Sequence, residues 1–194
     1  LGEFPAWHSD EGFWANGARN HVLFGDAFLD GRLHPLLSPA TYAALVAHFS
    51  LFAPTLVSAR LFSAIAGILT CLVLWLAARR LFPARPWLPL FFFGVSGFVV
   101  LVHRIMLLEA HQTFWLVLAA ALYLVPFRGS MWLAGAAYGV ALLVKSNSLY
   151  LAPAFLAALP VVTGTGTGTG TPASAHTTTN RLLSKLVPLV PLVP

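Results

Sequence analysis

Residues 57–78, VSARLFSAIAGILTCLVLWLAA, decide the fold, because this stretch is long and almost entirely apolar. As an α-helix that rises ~1.5 Å per residue, it is long enough to cross the hydrocarbon core of a bilayer, which is about 30 Å thick. The stretch ends at Arg79 and Arg80, and a proline-containing turn follows. It therefore predicts a membrane-spanning helix with a basic end at the membrane surface.

The composition extends this prediction to the rest of the chain. Of the 194 residues, 58% are hydrophobic and only 9% are charged, whereas soluble domains carry about 25% charged residues. The mean hydropathy is +0.81. The net charge of +5 does not indicate nucleic-acid binding, because the basic residues are scattered, as they are in cytoplasmic loops and headgroup contacts of membrane proteins. We expect an integral membrane protein surrounded by membrane lipids, with no nucleic-acid partner.

The composition changes twice along the chain, and we expect three regions. Residues 1–39 are mixed and rich in Gly, His, Asp and aromatic residues, which predicts an extracytoplasmic loop with a juxtamembrane helix that carries an Asp-Glu pair. Residues 40–162 contain successive apolar segments, which predict a bundle of about five transmembrane helices. Residues 163–194 contain Thr-Gly and LVP repeats, which predict a low-complexity, disordered tail.

The apolar segments of the middle region predict helices rather than strands. Only helices and closed barrels satisfy their backbone hydrogen bonds in lipid, and these segments lack the period-two alternation of barrel strands. The predicted fold class is all-α: a polytopic transmembrane helix bundle with extracytoplasmic juxtamembrane helices. Besides 57–78, the spanning segments are 87–102, 113–127, 131–144 and 149–162. Segment 40–53 is too short to cross a bilayer, and it predicts an interfacial helix or the first half of a longer helix that is broken by Pro54.

Basic residues predict the orientation of this bundle. Four arginines flank alternate junctions between the apolar segments, and the positive-inside rule assigns those junctions to the cytoplasm. Residues 1–39, the polar stretch 103–112 and the turn at Lys145 then share the opposite face of the membrane. The four arginines are Arg79, Arg80, Arg85 and Arg128.

Two adjacent carboxylates, Asp10 and Glu11, stand directly before an aromatic stretch that starts at Phe13. Ser9, Asp10 and Glu11 at the start of a helix are explained by capping alone, since the helix dipole favours acids in the first turn. A carboxylate held at the membrane interface can also take a proton from an incoming hydroxyl group. The residues by themselves leave both interpretations open.

Glu109 is the last acid of the chain, and it lies between two apolar segments. An acid at membrane depth is costly, which makes Glu109, together with His103 and Arg104, a candidate functional group. Lys145, at the end of a membrane segment, could neutralise a phosphate. The structural alternatives are that Glu109 pairs with another helix and that Arg104 and Lys145 contact lipid headgroups.

Several common site motifs are absent from the sequence. There is no GxxxxGK[ST] loop, no GxGxxG fingerprint and no CxxC pair, so nucleotide-driven and zinc-ribbon functions have no support. The histidines show no metal-ligand spacing. A metal held by Asp10, Glu11 and Glu109 stays open, since the sequence does not say whether these acids meet.

The sequence motifs that are present, taken in order, resemble those of the GT-C superfamily of integral-membrane glycosyltransferases. The nearest branch is the dolichyl-phosphate-mannose–protein mannosyltransferase and lipid A aminoarabinose transferase group, and the similarity covers about residues 5–160. No single motif is very specific, but their order and spacing together are. The motifs are DEGFWANGAR (10–19), HPLLSP (34–39), ARLFSAIAGIL (59–69), LAARRLF (76–82), SGFVVLVHRIMLLEAHQTFWLVLAAALY (96–123) and WLAGAAYGVALLVKSNSLYLAP (132–153).

The resemblance implies a reaction and three acidic site residues. A sugar would move, with inversion, from a polyprenyl-phosphate donor to a hydroxyl group of a protein, lipid or glycan acceptor. Asp10 matches the acid regarded as the catalytic base in the family, with Glu11 supporting it or binding the acceptor. Glu109 matches the acidic position of the second loop, where the family usually has Asp.

The resemblance also implies the donor side of the site. Arg104 and Lys145, with His103, would lie toward the donor phosphate. No cofactor is certain, although a divalent cation supplies positive charge to the leaving phosphate in some members. The resemblance places the protein in the plasma or inner membrane as a multi-pass protein whose active site is on the extracytoplasmic face.

The chain departs from the family pattern at both ends. Members begin with a membrane helix before the Asp-Glu loop and continue through several more helices, so we expect an N-terminal fragment that is weakly active or inactive by itself. The alternative function is that of a non-catalytic membrane protein, either a transporter-like element or a pseudoenzyme fragment. In a transporter-like element, Glu109 and Arg104 would line a polar path.

Overall fold

The computed structural model describes residues 9–29, 31, 33–125 and 127–156, without the side chains at positions 9, 10 and 34. The predicted tail at 163–194 lies outside these residues. The internal contacts divide the chain into two compact units, with the boundary between Tyr150 and Leu151. All the packing described below belongs to the first unit. The boundaries predicted at residues 39 and 162 stay predictions.

The described part of the chain is helical and contains no strand, which confirms the predicted all-α fold class. Short breaks separate most of the helices, and a 3₁₀ helix follows the last α-helix. The elements are α1 (Ser9–Phe24), α2 (His34–Leu37), α3 (Pro39–Leu51), α4 (Leu56–Leu81), α5 (Leu88–Val95), α6 (Gly97–Arg104), α7 (Leu108–Leu124), α8 (Ser130–Val144) and the 3₁₀ helix η1 (Ser146–Leu151).

Helix α4 is the predicted membrane-spanning helix, and its bounds contain the whole stretch 57–78. It begins after Pro54, where the Thr55 hydroxyl oxygen accepts a hydrogen bond from the Ser58 N–H at 3.2 Å. This cap satisfies one of the backbone donors that a helix leaves free at its first turn. Among the described residues, α4 is the one helix that is long and apolar enough to span a bilayer by itself.

Two of the predicted segments have a different form in the structure. Segment 87–102 is not one helix, because the chain breaks at Ser96 and the Ser96 side chain caps a new helix, α6. The polar stretch 103–112 is not a loop throughout: α6 continues to Arg104, and α7 begins at Leu108. Helices α6 and α7 are long and apolar enough to cross a membrane only if they are taken together as one span that is bent by 115°. The prediction of about five spans is therefore not confirmed by the described residues, in which most apolar helices are shorter than the ~20 residues a span needs.

Helix α4 presents small residues inward and large apolar residues outward. Ser63, Ala66 and Thr70 are buried, whereas Ile68 and Leu72 are more than half exposed. Membrane helices pack in this manner, since small side chains let backbones approach and lipid covers the bulky ones. Helix α4 packs against α6 and α7, α7 packs against α8, and α1 packs against α3.

One buried cluster joins the start of the chain to the bundle. Ala18 of α1, Leu45 and Phe49 of α3, Ala59 of α4 and Met106 in the break between α6 and α7 pack together. Each of these side chains is at most 3% exposed. The first turns of α1 therefore lie beside α4 and beside the α6–α7 break.

Candidate active site

Glu11 lies in the first turn of α1, and its carboxylate is held by a buried ion pair with Arg60 of α4. Arg60 Nε donates to Glu11 Oε1 and Arg60 Nη2 donates to Glu11 Oε2, both at 2.8 Å. Arg60 is 0% exposed and Glu11 is 1% exposed. Bidentate pairs of this geometry are among the strongest charge-assisted hydrogen bonds in proteins.

A third element joins this pair. The backbone N–H of Met106, between α6 and α7, donates to Glu11 Oε1 at 2.9 Å. A break between two helices leaves backbone donors without helical partners, and Glu11 satisfies one of them. Glu11 therefore connects α1 to α4 and to the α6–α7 break.

Asp10 precedes Glu11 in the first turn of α1, and its side chain lies outside the described part of the structure. The structure therefore does not test whether Asp10 caps the helix or acts in catalysis. The backbone of Asp10 lies in the same turn of α1 as Glu11, and the ion pair between Glu11 and Arg60 fixes this turn against α4.

Glu109 lies in the first turn of α7, and its carboxylate forms an ion pair with the Lys145 ammonium at the end of α8. Both side chains are about one-third exposed: 34% for Glu109 and 31% for Lys145. Glu109 therefore pairs with another helix, as one of the interpretations from sequence expected. The pair is open to solvent or ligand, unlike the pair of Glu11 and Arg60.

Hydrogen bonds fix the turn that carries Lys145. The Gln112 amide, one turn after Glu109 on α7, donates to Asn147 Oδ1 at 2.5 Å and to Ser148 Oγ at 2.8 Å. The Tyr138 hydroxyl donates to the Ser148 carbonyl oxygen at 2.7 Å. The backbone around Lys145 is therefore held in place, while its ammonium lies at the end of a flexible four-carbon stem.

His103 is buried against α4 rather than gathered with Lys145. Its Nδ1 lies 2.7 Å from the Val99 carbonyl oxygen, and its ring packs at 5.5 Å from the Phe93 ring. A Cβ atom built on Gly67 would lie 2.7 Å from His103 Cδ2, so the ring occupies the space that the glycine leaves. His103 Nε2 is buried and makes no hydrogen bond in the described structure. The donor-binding role of His103 stays a prediction.

Arg104 is exposed at the end of α6, and its guanidinium forms no ion pair with Glu109 or with any other described acid. Helix α6 ends at Arg104 and Glu109 belongs to α7, so the two residues are not on one continuous helix. The donor-binding roles of Arg104 and Lys145 also stay predictions.

A cavity of about 260 Å³ opens beside Glu11, between α1 and the connection from α3 to α4. Asn16, Arg19 and Thr55 contribute polar groups to its wall, and Phe49 contributes apolar surface. Arg19 is exposed at this cavity. The cavity is the larger of the two near the start of α1.

The described side chains do not fit a metal site, because no group of three His, Cys, Asp or Glu residues among them is arranged to hold an ion. The nearest approach to a histidine cluster is a stack in which the Phe62 ring lies 4.3 Å from His111 and 5.2 Å from His48. His48 Nε2 is bonded instead to the Ser58 hydroxyl at 3.0 Å.

Arg60 is the site residue that the sequence reasoning missed. It lies in the apolar stretch that decides the fold, four residues after Leu56, where α4 begins. A charged residue within such a stretch is costly and is a signal for a functional or structural partner. The same cost that singles out Glu109 therefore singles out Arg60 as a residue that needs a partner.

Comparison with known proteins identifies one family. A model of that family, described as dolichyl-phosphate-mannose-protein mannosyltransferase, matches residues 34–185, well over half of the chain. The matched range includes His103, Arg104, Glu109 and Lys145 and begins after Asp10 and Glu11. Comparison with curated proteins finds no match, and comparison with solved structures finds none either.

Proposed function

The chain belongs to the dolichyl-phosphate-mannose-protein mannosyltransferase family, which is of the GT-C type, and we propose that it carries the acidic residues of the active site. In the proposed reaction, a sugar moves from a polyprenyl-phosphate donor to an acceptor hydroxyl. The family supports glycosyl transfer in general. The lipid-phosphate donor, the inversion at the sugar and the acceptor class are parts of the proposal.

The observation that carries the proposal is the contact of Glu11 with Met106. This hydrogen bond of 2.9 Å holds the first turn of α1 next to the break between α6 and α7. The same break lies between Arg104 and Glu109. This contact supports a single site that is built from residues far apart in the sequence.

Glu11 and Asp10 have different roles in this proposal. Both carboxylate oxygens of Glu11 accept charged hydrogen bonds from Arg60, and one also accepts the Met106 N–H. An oxygen engaged in this way is a poor proton acceptor, since its hydrogen bonds favour the charged form. Glu11 is therefore the positioning residue, and Asp10 is the base that takes the proton of the acceptor hydroxyl.

The donor phosphate is assigned to the basic residues near Glu109. As the bond between the sugar and the phosphate oxygen breaks, negative charge grows on the phosphate, and a cation aimed at it lowers the barrier. Lys145 and Arg104 are the candidates, because Lys145 is one-third exposed and Arg104 is exposed at the α6–α7 break. His103 contributes less, because its ring is buried between α6 and Gly67.

The orientation and the number of membrane crossings belong to the same proposal. The family is membrane-integral. The four arginines that flank alternate junctions favour a cytoplasmic position for the end of α4, which puts α1 and the α6–α7 break on the extracytoplasmic side. The protein is then a multi-pass protein whose reaction takes place at that face.

Sugar transfer in proteoliposomes tests the proposal. The chain, its Asp10→Asn variant and an Asp26→Asn control are given labelled polyprenyl-phosphate sugars and a panel of peptide, lipid and glycan acceptors. Asp26 is the matched control because it is an exposed acid that accepts only the Phe28 N–H, at 2.8 Å, in the described structure. Transfer with inverted configuration that is lost in Asp10→Asn and kept in Asp26→Asn supports the proposal.

A second candidate function follows from the 115° bend between α6 and α7. Broken helices form the substrate sites of many transporters, so this feature favours a transporter-like element without catalysis. Donor binding by the folded chain without transfer to any acceptor, together with movement of the donor lipid between leaflets, would favour this candidate over the transferase.

A further inference from the structure

The two described ion pairs differ in whether a ligand can reach them. Glu11 and Arg60 are at most 1% exposed, and both carboxylate oxygens are occupied. Glu109 and Lys145 are about one-third exposed. An anion arriving from solution or from the membrane surface can therefore reach Lys145 and compete with Glu109, but it cannot reach Arg60.

The elements that hold the exposed pair allow it to separate without unfolding. Glu109 is fixed to the first turn of α7, where the helix dipole stabilises its charge even when it is unpaired. Gln112 donates hydrogen bonds to Asn147 and Ser148, and these bonds hold the turn after Lys145 without the ion pair. Breaking the ion pair thus moves only the lysine side chain.

We propose that Glu109 is the resident counter-ion of Lys145 in the donor-free protein and that the phosphate of the donor displaces it. Lys145 exchanges a carboxylate for a phosphate oxygen, and no covalent bond changes. This role for Glu109 rests on the proposed function for the identity of the ligand, a polyprenyl phosphodiester. Glu109 is then a residue that sets donor affinity, not a base.

The exchange predicts that substitution of Glu109 raises donor affinity, whereas substitution of an ordinary binding residue lowers it. Removing the charge of Glu109 frees Lys145, so donor affinity increases. An exposed ion pair contributes roughly 0–1 kcal/mol, which corresponds to an increase in affinity of up to about fivefold. Removing Lys145 eliminates a charged hydrogen bond to the phosphate, and affinity falls by about tenfold or more.

Equilibrium binding of radiolabelled farnesyl phosphate to the purified chain in detergent tests this inference. Farnesol and inorganic phosphate are measured beside it, to separate recognition of the lipid from recognition of the anion. The variants are Glu109→Gln, Lys145→Gln, Lys145→Arg and the double variant Glu109→Gln/Lys145→Gln. Asp26→Asn and Arg128→Gln are controls that change the same charges at other exposed positions.

The expected result is tighter binding by Glu109→Gln, weaker binding by Lys145→Gln and near-normal binding by Lys145→Arg. In the double variant, Glu109→Gln should bring no further gain, because the lysine that it frees is gone. Farnesol binding should not change in any of them.

Several results would overturn the inference. Weaker binding by Glu109→Gln would show that this carboxylate supports the phosphate site instead of competing for it. A gain that persists in the double variant, or that appears equally in Asp26→Asn, would show a general effect of net charge. Unchanged binding by Lys145→Gln, with normal thermal unfolding, would remove Lys145 from the site.

Failure of the proposed function gives a different pattern. The exchange of Glu109 for phosphate stands if the binding results hold while no sugar is transferred, and in that case only the transferase proposal falls. If transfer occurs but the binding of Glu109→Gln is unchanged, the transferase proposal stands and the exchange does not.

Discussion

The two ion pairs in the described part of the chain both join a glutamate to a basic side chain, but their surroundings differ. Glu11 and Arg60 are buried at the junction of α1, α4 and the α6–α7 break, and the Met106 N–H completes the hydrogen bonding of the carboxylate. Glu109 and Lys145 lie one-third exposed between the start of α7 and the end of α8. Charges in a dry interior are costly to separate, whereas exposed charges are hydrated and screened.

The difference in burial indicates which glutamate can exchange its ion-pair partner for a ligand. The buried pair fixes three elements, and its carboxylate has no free oxygen with which to act on a substrate. The exposed pair contributes little to stability, and its lysine can turn to a ligand. The two pairs therefore differ in burial, and burial determines which of their cations a ligand can reach.

The largest effect is expected for Arg60→Met, which leaves the Glu11 carboxylate buried without its cation. Breaking a buried pair from one side costs about 3–5 kcal/mol, so unfolding of the purified chain in detergent should begin at a much lower temperature or denaturant concentration. Arg80→Met is the matched control, because Arg80 is exposed on the same helix. The double variant Glu11→Gln/Arg60→Met should recover part of the loss, since the amide carbonyl still accepts the Met106 N–H. Equal unfolding of Arg60→Met and Arg80→Met would show that burial does not separate the two pairs.

The next effect is expected for Gly67→Ala, at the point where α4 meets His103 of α6. The new methyl group would lie 2.7 Å from His103 Cδ2, and forcing extra volume into a packed contact costs about 1–3 kcal/mol. The second variant His103→Ala removes the ring and should make Gly67→Ala nearly harmless. The measurement is a double-mutant cycle of the unfolding free energy. An additive cycle would mean that the ring is not confined by Gly67.

A smaller loss is expected for Gln112→Leu, which removes the two hydrogen bonds to Asn147 and Ser148 beside the exposed pair. Hydrogen bonds contribute about 0.5–1.5 kcal/mol each, and these lie partly in solvent. The loss should therefore be about 1 kcal/mol, and donor binding should weaken because the turn that carries Lys145 loosens. The variant Gln112→Glu, which keeps the shape of the side chain but replaces its donor with a second acceptor, is the comparison. Unchanged unfolding and unchanged binding would contradict the fixed turn.

The smallest effect on stability is expected for Glu109→Gln. An exposed pair contributes roughly 0–1 kcal/mol, and added salt should make the variant and the parent chain equal, because screening acts on charges in water. Unfolding at low and high salt measures this difference, with Asp26→Asn as the control. A loss as large as that of Arg60→Met would mean that the two pairs do not differ in kind.

Much of the local structure could be predicted from the sequence. The apolar run 57–78 specified α4, since hydrophobicity and length alone determine whether a helix can span a bilayer. The helix begins at Leu56, one residue before the predicted stretch, because Thr55 caps it directly after the break at Pro54. The break at Ser96 was missed, because segment 87–102 is apolar on both sides of a serine that also occurs inside membrane helices.

The sequence also pointed to acids that need partners, but it could not choose the partners. Glu109 was singled out because an isolated acid in an apolar region is costly, and the structure pairs it with Lys145, 36 residues away. Glu11 is paired with Arg60, 49 residues away, and with Met106, 95 residues away. No periodicity within one helix encodes such distances.

By itself, the sequence determined that this chain is a helical membrane protein of a glycosyltransferase family, because composition, apolar length and motif order are properties of the chain alone. The tertiary structure decided which of the described carboxylates lies in a buried ion pair and which lies in an exposed one. Burial depends on how α1, α4, α7 and α8 pack together, and burial decides whether a charge is held by protein or remains open to a ligand.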